Sequence, residues 1–78
     1  MESFSNYLMR HARVTDTPEG DFIADSRMLI EMGRFVSKDD WPHIRAFLIL
    51  RNACPEAMTA ARNVHGNYRR WCAAKAGV

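Results

Sequence analysis

The sequence has only two cysteines, Cys54 and Cys72, and it lacks any long apolar run. Secreted domains of this size usually carry more cysteines, paired in disulfides that compensate for a small core. The longest apolar run, from Ala46 to Leu50, has five residues, whereas roughly 20 are needed to span a bilayer. Residues 1–6 also lack the basic and apolar stretches of a secretory signal. We therefore expect a reduced, cytoplasmic protein with no membrane partner.

The chain lacks a strong net charge, but its charges are unevenly distributed. The formal net charge is +2. Residues 1–40 contain five basic and eight acidic residues, whereas residues 41–78 contain six basic residues and one acid, Glu56. The basic C-terminal half would attract an acidic partner. Internal pairing of the two halves, or simple solvation of surface charges, explains the same pattern.

The small size of the chain limits the functions that it can support. Its 78 residues, of which 47% are hydrophobic, suffice for one domain with one core and argue against disorder. A domain this small leaves little volume for a ligand cavity of about 300 Å³ or more. We therefore expect no enzymatic activity, no cofactor and no small-molecule substrate. The sequence predicts a single helical domain over residues 1–78, with an ordered core over residues 3–72 and a frayed tail over residues 73–78.

Four segments have the apolar spacing of helices, and none has the alternation typical of a strand. Ser3 is placed to cap the first helix, and Thr17 and Pro18 provide a capping hydroxyl and a first-position proline for the second. Gly33 is a natural stop for the second helix. The pattern leaves open whether residues 26–36 form one helix end or a separate turn. The predicted helices cover residues 4–12, 18–31, 39–51 and 55–75, which gives an all-α, four-helix bundle.

The predicted core includes one apolar stripe from each helix. Phe35 is expected to fill the core from the loop after the second helix, and the acids before Trp41 are expected to cap the third. Gly20 weakens the second helix, so we expect another segment to approach it closely. The residues expected in the core are Phe4, Tyr7, Leu8, His11, Phe22, Ile23, Leu29, Ile30, Trp41, Ile44, Phe47, Leu48, Leu50, Ala57, Ala61, Val64, Tyr68 and Trp71.

The most specific motif is the Gly-Asp-aromatic-x-x-Asp block formed by Gly20, Asp21, Phe22 and Asp25. Together with the apolar positions around it, this block resembles the YozE-type SAM-like domains of bacteria and their phages. The resemblance covers about residues 3–71 and implies a compact four-helix SAM-like fold with no established catalytic residues. Folds of this kind suggest protein or nucleic-acid binding. The residues that carry the resemblance are Ser3, Phe4, Tyr7, Leu8, Gly20, Asp21, Phe22, Asp25, Phe35, Trp41, Ile44, Phe47, Leu48, Ala57, Ala61 and Tyr68.

Several side chains could form a metal or catalytic site, but the pattern favours structural roles. Asp21 and Asp25 are one helical turn apart and could bind a metal together. Alternatively, one acid could interact favourably with the helix N-terminus while the other pairs with a cation such as Arg10, Arg27 or Arg45. Cys54 has no assignable base, as nucleophilic catalysis would require. A zinc site assembled from His11, His43, His65, Cys54 and Cys72 would lack the usual close ligand pairs. We therefore predict no metal site.

The best candidate for a binding surface is the basic face of the last helix. Arg62, His65 and Arg69 are spaced i, i+3, i+7, Arg70 flanks them, and Arg51 ends the preceding helix. Such a face would bind nucleic acid through its phosphates or steer an acidic protein onto the surface, and a merely solvated face would look the same.

The preferred functional hypothesis is a non-enzymatic interaction module of bacterial or phage origin that binds a protein partner. The contact would combine the basic face with exposed methionine or aromatic side chains, and Met28 and Met32 form one candidate patch. The alternative is a nucleic-acid-binding domain that uses the arginines of the basic face together with Lys75.

Overall fold

Residues 2–76 of the protein fold into four helices. The computed structural model describes residues 2–76. It contains α1 (Phe4–Arg10), α2 (Pro18–Glu31), α3 (Trp41–Leu50) and α4 (Pro55–Ala76), and no strand occurs within the described residues. The all-α, four-helix class predicted from the sequence is therefore confirmed.

Two of the predicted caps are formed as expected. The hydroxyl of Ser3 accepts a hydrogen bond from the backbone N–H of Asn6 at 3.0 Å, and that of Thr17 accepts one from Gly20 at 3.2 Å. These bonds satisfy N–H groups that have no partner within a helix.

The second helix is continuous to Glu31, so residues 26–31 belong to it. Gly33 follows with a φ of +70°, as predicted for a helix stop.

Four helix ends differ from the predictions. The first helix stops at Arg10, not at residue 12, and α3 spans Trp41–Leu50, not residues 39–51. The fourth helix continues to Ala76, one residue beyond its predicted end. The Nζ of Lys75 lies 4.6 Å from the centre of the Trp71 ring, which helps to hold this last turn. Residues 77–78 of the predicted tail lie outside the described residues.

The core forms where the apolar stripes of the four helices meet. Leu50 is 84% exposed, so its predicted burial is wrong. It lies two residues beyond the buried Leu48, which places it on the opposite side of α3. Phe35 is half-buried against the core, as predicted. The buried apolar residues are Phe4, Tyr7, Leu8, Ala12, Phe22, Ile23, Ile44, Leu48, Ala60, Ala61, Val64 and Tyr68.

Helix α4 is the central element of the bundle. It packs against each of the other three helices, and α1 also packs against α2. Within the described residues, no close backbone contact joins α2 to α3. Both helices rest on α4, so a gap remains between them at the surface.

None of the helices within residues 2–76 combines the length and the apolar character that crossing a membrane requires.

Candidate functional site

A groove of about 440 Å³ occupies the gap between α2 and α3, next to the first turn of α4. Buried Phe22 and Leu48 form part of its floor. Half-buried Phe35 and Phe47 also line it, and their rings meet edge-to-face with centroids 5.4 Å apart. Met28 lies on the rim with 61% of its surface exposed. The floor of the groove is therefore apolar and partly open to solvent.

Acidic side chains dominate the charge around this groove. Asp21 and Asp25 from α2 and Glu56 from α4 line it, and all three are exposed. The one cation of the lining is Arg51, whose guanidinium carbon lies 5.7 Å from the centre of the Phe47 ring. The rim thus carries three carboxylates and one guanidinium.

The carboxylates of Asp21 and Asp25 do not pair with arginine, contrary to one of the sequence interpretations. Within residues 2–76, the ion pair found joins His43 and Asp40 at 2.6 Å, and none involves the groove acids. The bond from His43 holds the pKa of the Asp40 carboxyl below its usual value. Asp21 does lie in the first turn of α2, where its negative charge interacts favourably with the helix dipole.

Arg27 contacts backbone carbonyls instead of an acid. Its Nε donates to the carbonyl oxygen of Leu8 at 2.7 Å, and its Nη2 donates to that of Ala12, also at 2.7 Å. These acceptors lie at the C-terminal end of α1, where carbonyl groups have no partner within the helix. Arg27 of α2 thus provides the hydrogen-bond donors at the C-terminal end of α1.

The cysteines and histidines lie apart from one another and make separate structural contacts. The Cys54 sulfur accepts a hydrogen bond from the N–H of Ala57 at 3.4 Å, which caps α4. His11 stacks on Trp71, with ring centroids 4.5 Å apart. Across residues 2–76, no three His, Cys, Asp or Glu side chains lie close enough together to hold a metal ion.

His65 does not belong to the basic surface, so its predicted binding role is wrong. Only 5% of the residue is exposed, and its Nε2 donates to the carbonyl oxygen of Asp39 at 2.7 Å. Its ring packs against those of Phe4, Trp41 and Tyr68. His65 is therefore a core residue that ties α4 to the segment before α3.

Asp39 is an anchor that the sequence reasoning missed. Its carboxylate accepts a hydrogen bond from the N–H of Phe4, the first residue of α1, at 3.0 Å. Its carbonyl accepts the bond from His65. The predicted role of the acids before Trp41 was to cap α3, but Asp39 caps α1, and Asp40 makes no side-chain capping bond to α3.

The predicted basic residues are only partly brought together. Arg62 and Arg70 line one shallow polar surface, which also includes the carboxylate of Glu19. Arg69 lines a different cavity, beside Trp41 and Tyr68. Arg51 lies in the groove between α2 and α3, away from the other three.

The residues of the Gly-Asp-aromatic-x-x-Asp block have distinct positions. A Cβ on Gly20 would meet the backbone of Thr15, which confirms the predicted close approach. Phe22 is buried, and the two aspartates lie on the groove rim.

Two further aromatic residues that carry the resemblance, Trp41 and Tyr68, pack around His65. Trp41 is half-buried beside the His65 ring. The Tyr68 hydroxyl donates to the carbonyl oxygen of Glu2 at 2.5 Å. Burial raises the pKa of Tyr68.

Comparison of the chain with protein-family models, with curated protein sequences and with solved structures finds no match. The surface chemistry of the described residues is therefore the main basis for choosing between functions.

Proposed function

We propose that this chain is a non-enzymatic helical interaction module that binds a segment of a protein partner in the groove between α2 and α3. The observation that carries the proposal is the gap between these two helices, which leaves half-buried Phe35 and Phe47 and exposed Met28 open to one groove. Aromatic and methionine side chains are enriched at protein interfaces. The resemblance to YozE-type domains adds a bacterial or phage setting to this proposal.

The shape of the groove favours a macromolecular partner over a small molecule. Its volume of about 440 Å³ exceeds the roughly 300 Å³ at which ligand pockets begin. However, its lining includes several exposed side chains, among them Asp21, Asp25, Met28 and Glu56. Small-molecule sites usually bury most of their ligand. An open groove of this kind suits a segment that also contacts the rim.

The competing proposal is nucleic-acid binding by the arginines of α4. Arg62, Arg69 and Arg70 are exposed, which phosphate contacts require. Two features weaken this proposal: Arg51 lies in the groove, and the carboxylate of Glu19 shares the surface of Arg62 and Arg70. An acid among the arginines would repel a phosphate backbone.

A matched pair of substitutions on α2 and its C-terminal end tests the docking proposal. Met28 lines the groove, whereas Met32, one turn further on, does not, and the two side chains are similarly exposed at 61% and 51%. Affinity capture from the cells that encode the chain would use the wild type, Met28→Glu and Met32→Glu as baits. We expect a specific protein that binds the wild type and Met32→Glu but is lost with Met28→Glu.

Two outcomes would contradict docking in the groove. One is a partner that Met28→Glu retains as well as the wild type does, and the other is the absence of any specifically retained protein. The nucleic-acid proposal is tested separately by titrating DNA and RNA at low and high salt. Binding with a steep salt dependence that is lost in Arg62→Ala/Arg70→Ala would support it in place of protein docking.

A further inference from the structure

We infer that the segment bound in the groove is a short cationic amphipathic helix. This inference rests on the proposed function and deepens it by naming the chemistry of the partner. The groove lies between α2 and α3 and next to the start of α4, so an additional helix would fill the gap that these elements leave. Laying the apolar face of a helix into an apolar groove is a common mode of peptide recognition.

The charge of the rim selects the sign of the partner. Asp21, Asp25 and Glu56 are exposed, and none of them forms an ion pair within the described residues. Arg51 forms no ion pair with them within the described residues, and its guanidinium lies over the Phe47 ring. Lysine or arginine side chains beside the apolar stripe of a partner helix would therefore meet carboxylates without displacing a cation.

The spacing of the acids also fits a helical partner. Asp21 and Asp25 are four residues apart on α2, which places them on successive turns of one helix face, about 6 Å apart along its axis. Two cations spaced i, i+4 on a partner helix have the same separation. The partner helix would thus bring one cation to each aspartate.

The floor of the groove accommodates apolar side chains of more than one shape. Met28 and the half-buried Leu29 contribute flexible aliphatic surface beside the edge-to-face pair of Phe35 and Phe47. Methionine adapts to differently shaped partners because it is unbranched and polarizable. We therefore expect selectivity to depend on charge and helical pattern more than on one apolar residue.

A selection experiment tests the inference. A library of helical peptides with randomised surface positions would be selected on the immobilised full chain, with counter-selection on Met28→Asn, which removes the apolar contact without adding charge to the rim. We expect the enriched peptides to carry lysine or arginine at i, i+4 beside an apolar stripe. Enrichment of uncharged or acidic peptides would overturn the cationic inference and leave docking in the groove intact. Failure to enrich any peptide over Met28→Asn would contradict the groove itself, and the proposed function with it.

The binding constants of an enriched peptide test the role of the aspartates. We expect Asp21→Asn/Asp25→Asn to weaken binding about 3- to 10-fold, which is the range for two exposed ion pairs. The control Asp16→Asn/Glu31→Gln removes the same charge from exposed positions outside the groove and should leave the affinity unchanged. Equal affinities for both double variants would overturn the inference. The single variant Asp25→Asn provides the same test if the loss of Asp21 impairs folding.

A second copy of the chain is the other possible occupant that this design detects. The basic residues of α4 could enter the groove of another molecule. Mass measured over a range of concentrations would then show an assembly that Met28→Asn abolishes, and that result would overturn binding of a separate partner. We expect a monomer at all concentrations.

Discussion

A Cβ atom on Gly20 would lie 1.8 Å from the carbonyl oxygen of Thr15 and 2.5 Å from its backbone nitrogen. The loop before α2 therefore folds back onto the first turn of that helix, and only glycine leaves room for it. The bond from the N–H of Gly20 to Thr17 holds the same turn. This contact fixes the start of the helix that carries Asp21 and Asp25 on the groove rim.

Alanine at Gly20 should destabilise the protein strongly. The backbone atoms of Thr15 cannot move aside as a flexible side chain would, so we expect Gly20→Ala to cost about 3 kcal/mol or to prevent folding. Gly66→Ala is the control, because its Cβ would meet only the end of the Arg70 side chain, at 3.7 Å. Gly66 lies inside α4, so the control should gain about 0.5–1 kcal/mol. Urea unfolding measures both values, and equal midpoints for the two variants would contradict the Thr15 contact.

Arg27 should contribute to stability through the end of α1. Replacing it with methionine leaves the carbonyls of Leu8 and Ala12 without their donors, and hydrogen bonds to a charged group contribute about 1.5–3 kcal/mol. We expect Arg27→Met to cost about 2–3 kcal/mol and Arg27→Lys to recover only part of it, because lysine lacks the forked geometry.

The control for Arg27 is Arg45→Met, on the exposed side of α3. Its free energy of unfolding should stay within about 0.5 kcal/mol of the wild type. Similar losses for Arg27→Met and Arg45→Met in chemical denaturation would show that the carbonyl contacts are not important for stability.

Alanine substitutions of the neighbouring residues Asp39 and Asp40 should differ in their effect on stability. Asp39 caps the first N–H of α1, so Asp39→Ala should cost about 1–2 kcal/mol, as the loss of a helix cap does. Asp40 is exposed, and within residues 2–76 its carboxylate bonds only to His43, so Asp40→Ala should cost less. Thermal unfolding of the two variants side by side makes the comparison. A larger loss for Asp40→Ala would be inconsistent with the Asp39 anchor.

The raised pKa of Tyr68 predicts a loss of stability at alkaline pH. Burial favours the neutral phenol in the folded state, so the unfolded chain releases this proton first, near its ordinary value of 10.0. The stabilising effect is complete below that pH and declines as the pH rises above it. Urea unfolding from about pH 9 to about pH 11 should therefore show a falling free energy of unfolding.

Substitution of Tyr68 by phenylalanine tests this assignment. The pKa of Tyr7 is also raised by burial, so Tyr68→Phe should reduce the alkaline loss without abolishing it. An unchanged dependence on pH in Tyr68→Phe would mean that the phenol of Tyr68 is not the group responsible.

Local sequence signals predicted most of the helices. The bounds of α2 follow from the cap at Thr17, the proline at position 18 and the stop at Gly33, all of which act within a few residues. The prediction misses features of α1 that depend on residues far away in the sequence. Arg27 ends α1 from 19 residues away, and Asp39 caps α1 from 35 residues away. No periodicity within α1 contains that information.

The burial of His65 had a weak signal in the sequence. It lies between Ala61 and Tyr68, at helical spacings from both, and so belongs to the apolar stripe of α4. Its polarity and its arginine neighbours favoured a surface role instead. The acceptor that makes its burial favourable is the carbonyl of Asp39, which only the tertiary structure brings close.

The groove itself could not be predicted from the sequence. Its floor and rim include residues that the sequence analysis named for other reasons, namely Phe22, Asp21 and Asp25 of the Gly-Asp-aromatic-x-x-Asp block and Arg51 of the expected basic face. What makes them one site is that α2 and α3 pack on α4 with no close backbone contact between them in the described residues. That gap depends on how three helices are arranged, which apolar spacing within each helix does not determine.

Mapping the bound surface by nuclear magnetic resonance tests the central claim most directly. The isotopically labelled chain would be titrated with its captured partner while the backbone amide signals of the non-proline residues are followed. Docking in the groove predicts the largest shifts at Met28, Phe35 and Phe47, with Arg62 and Arg70 unaffected. Shifts that cluster at Arg62 and Arg70 and spare the groove would contradict it.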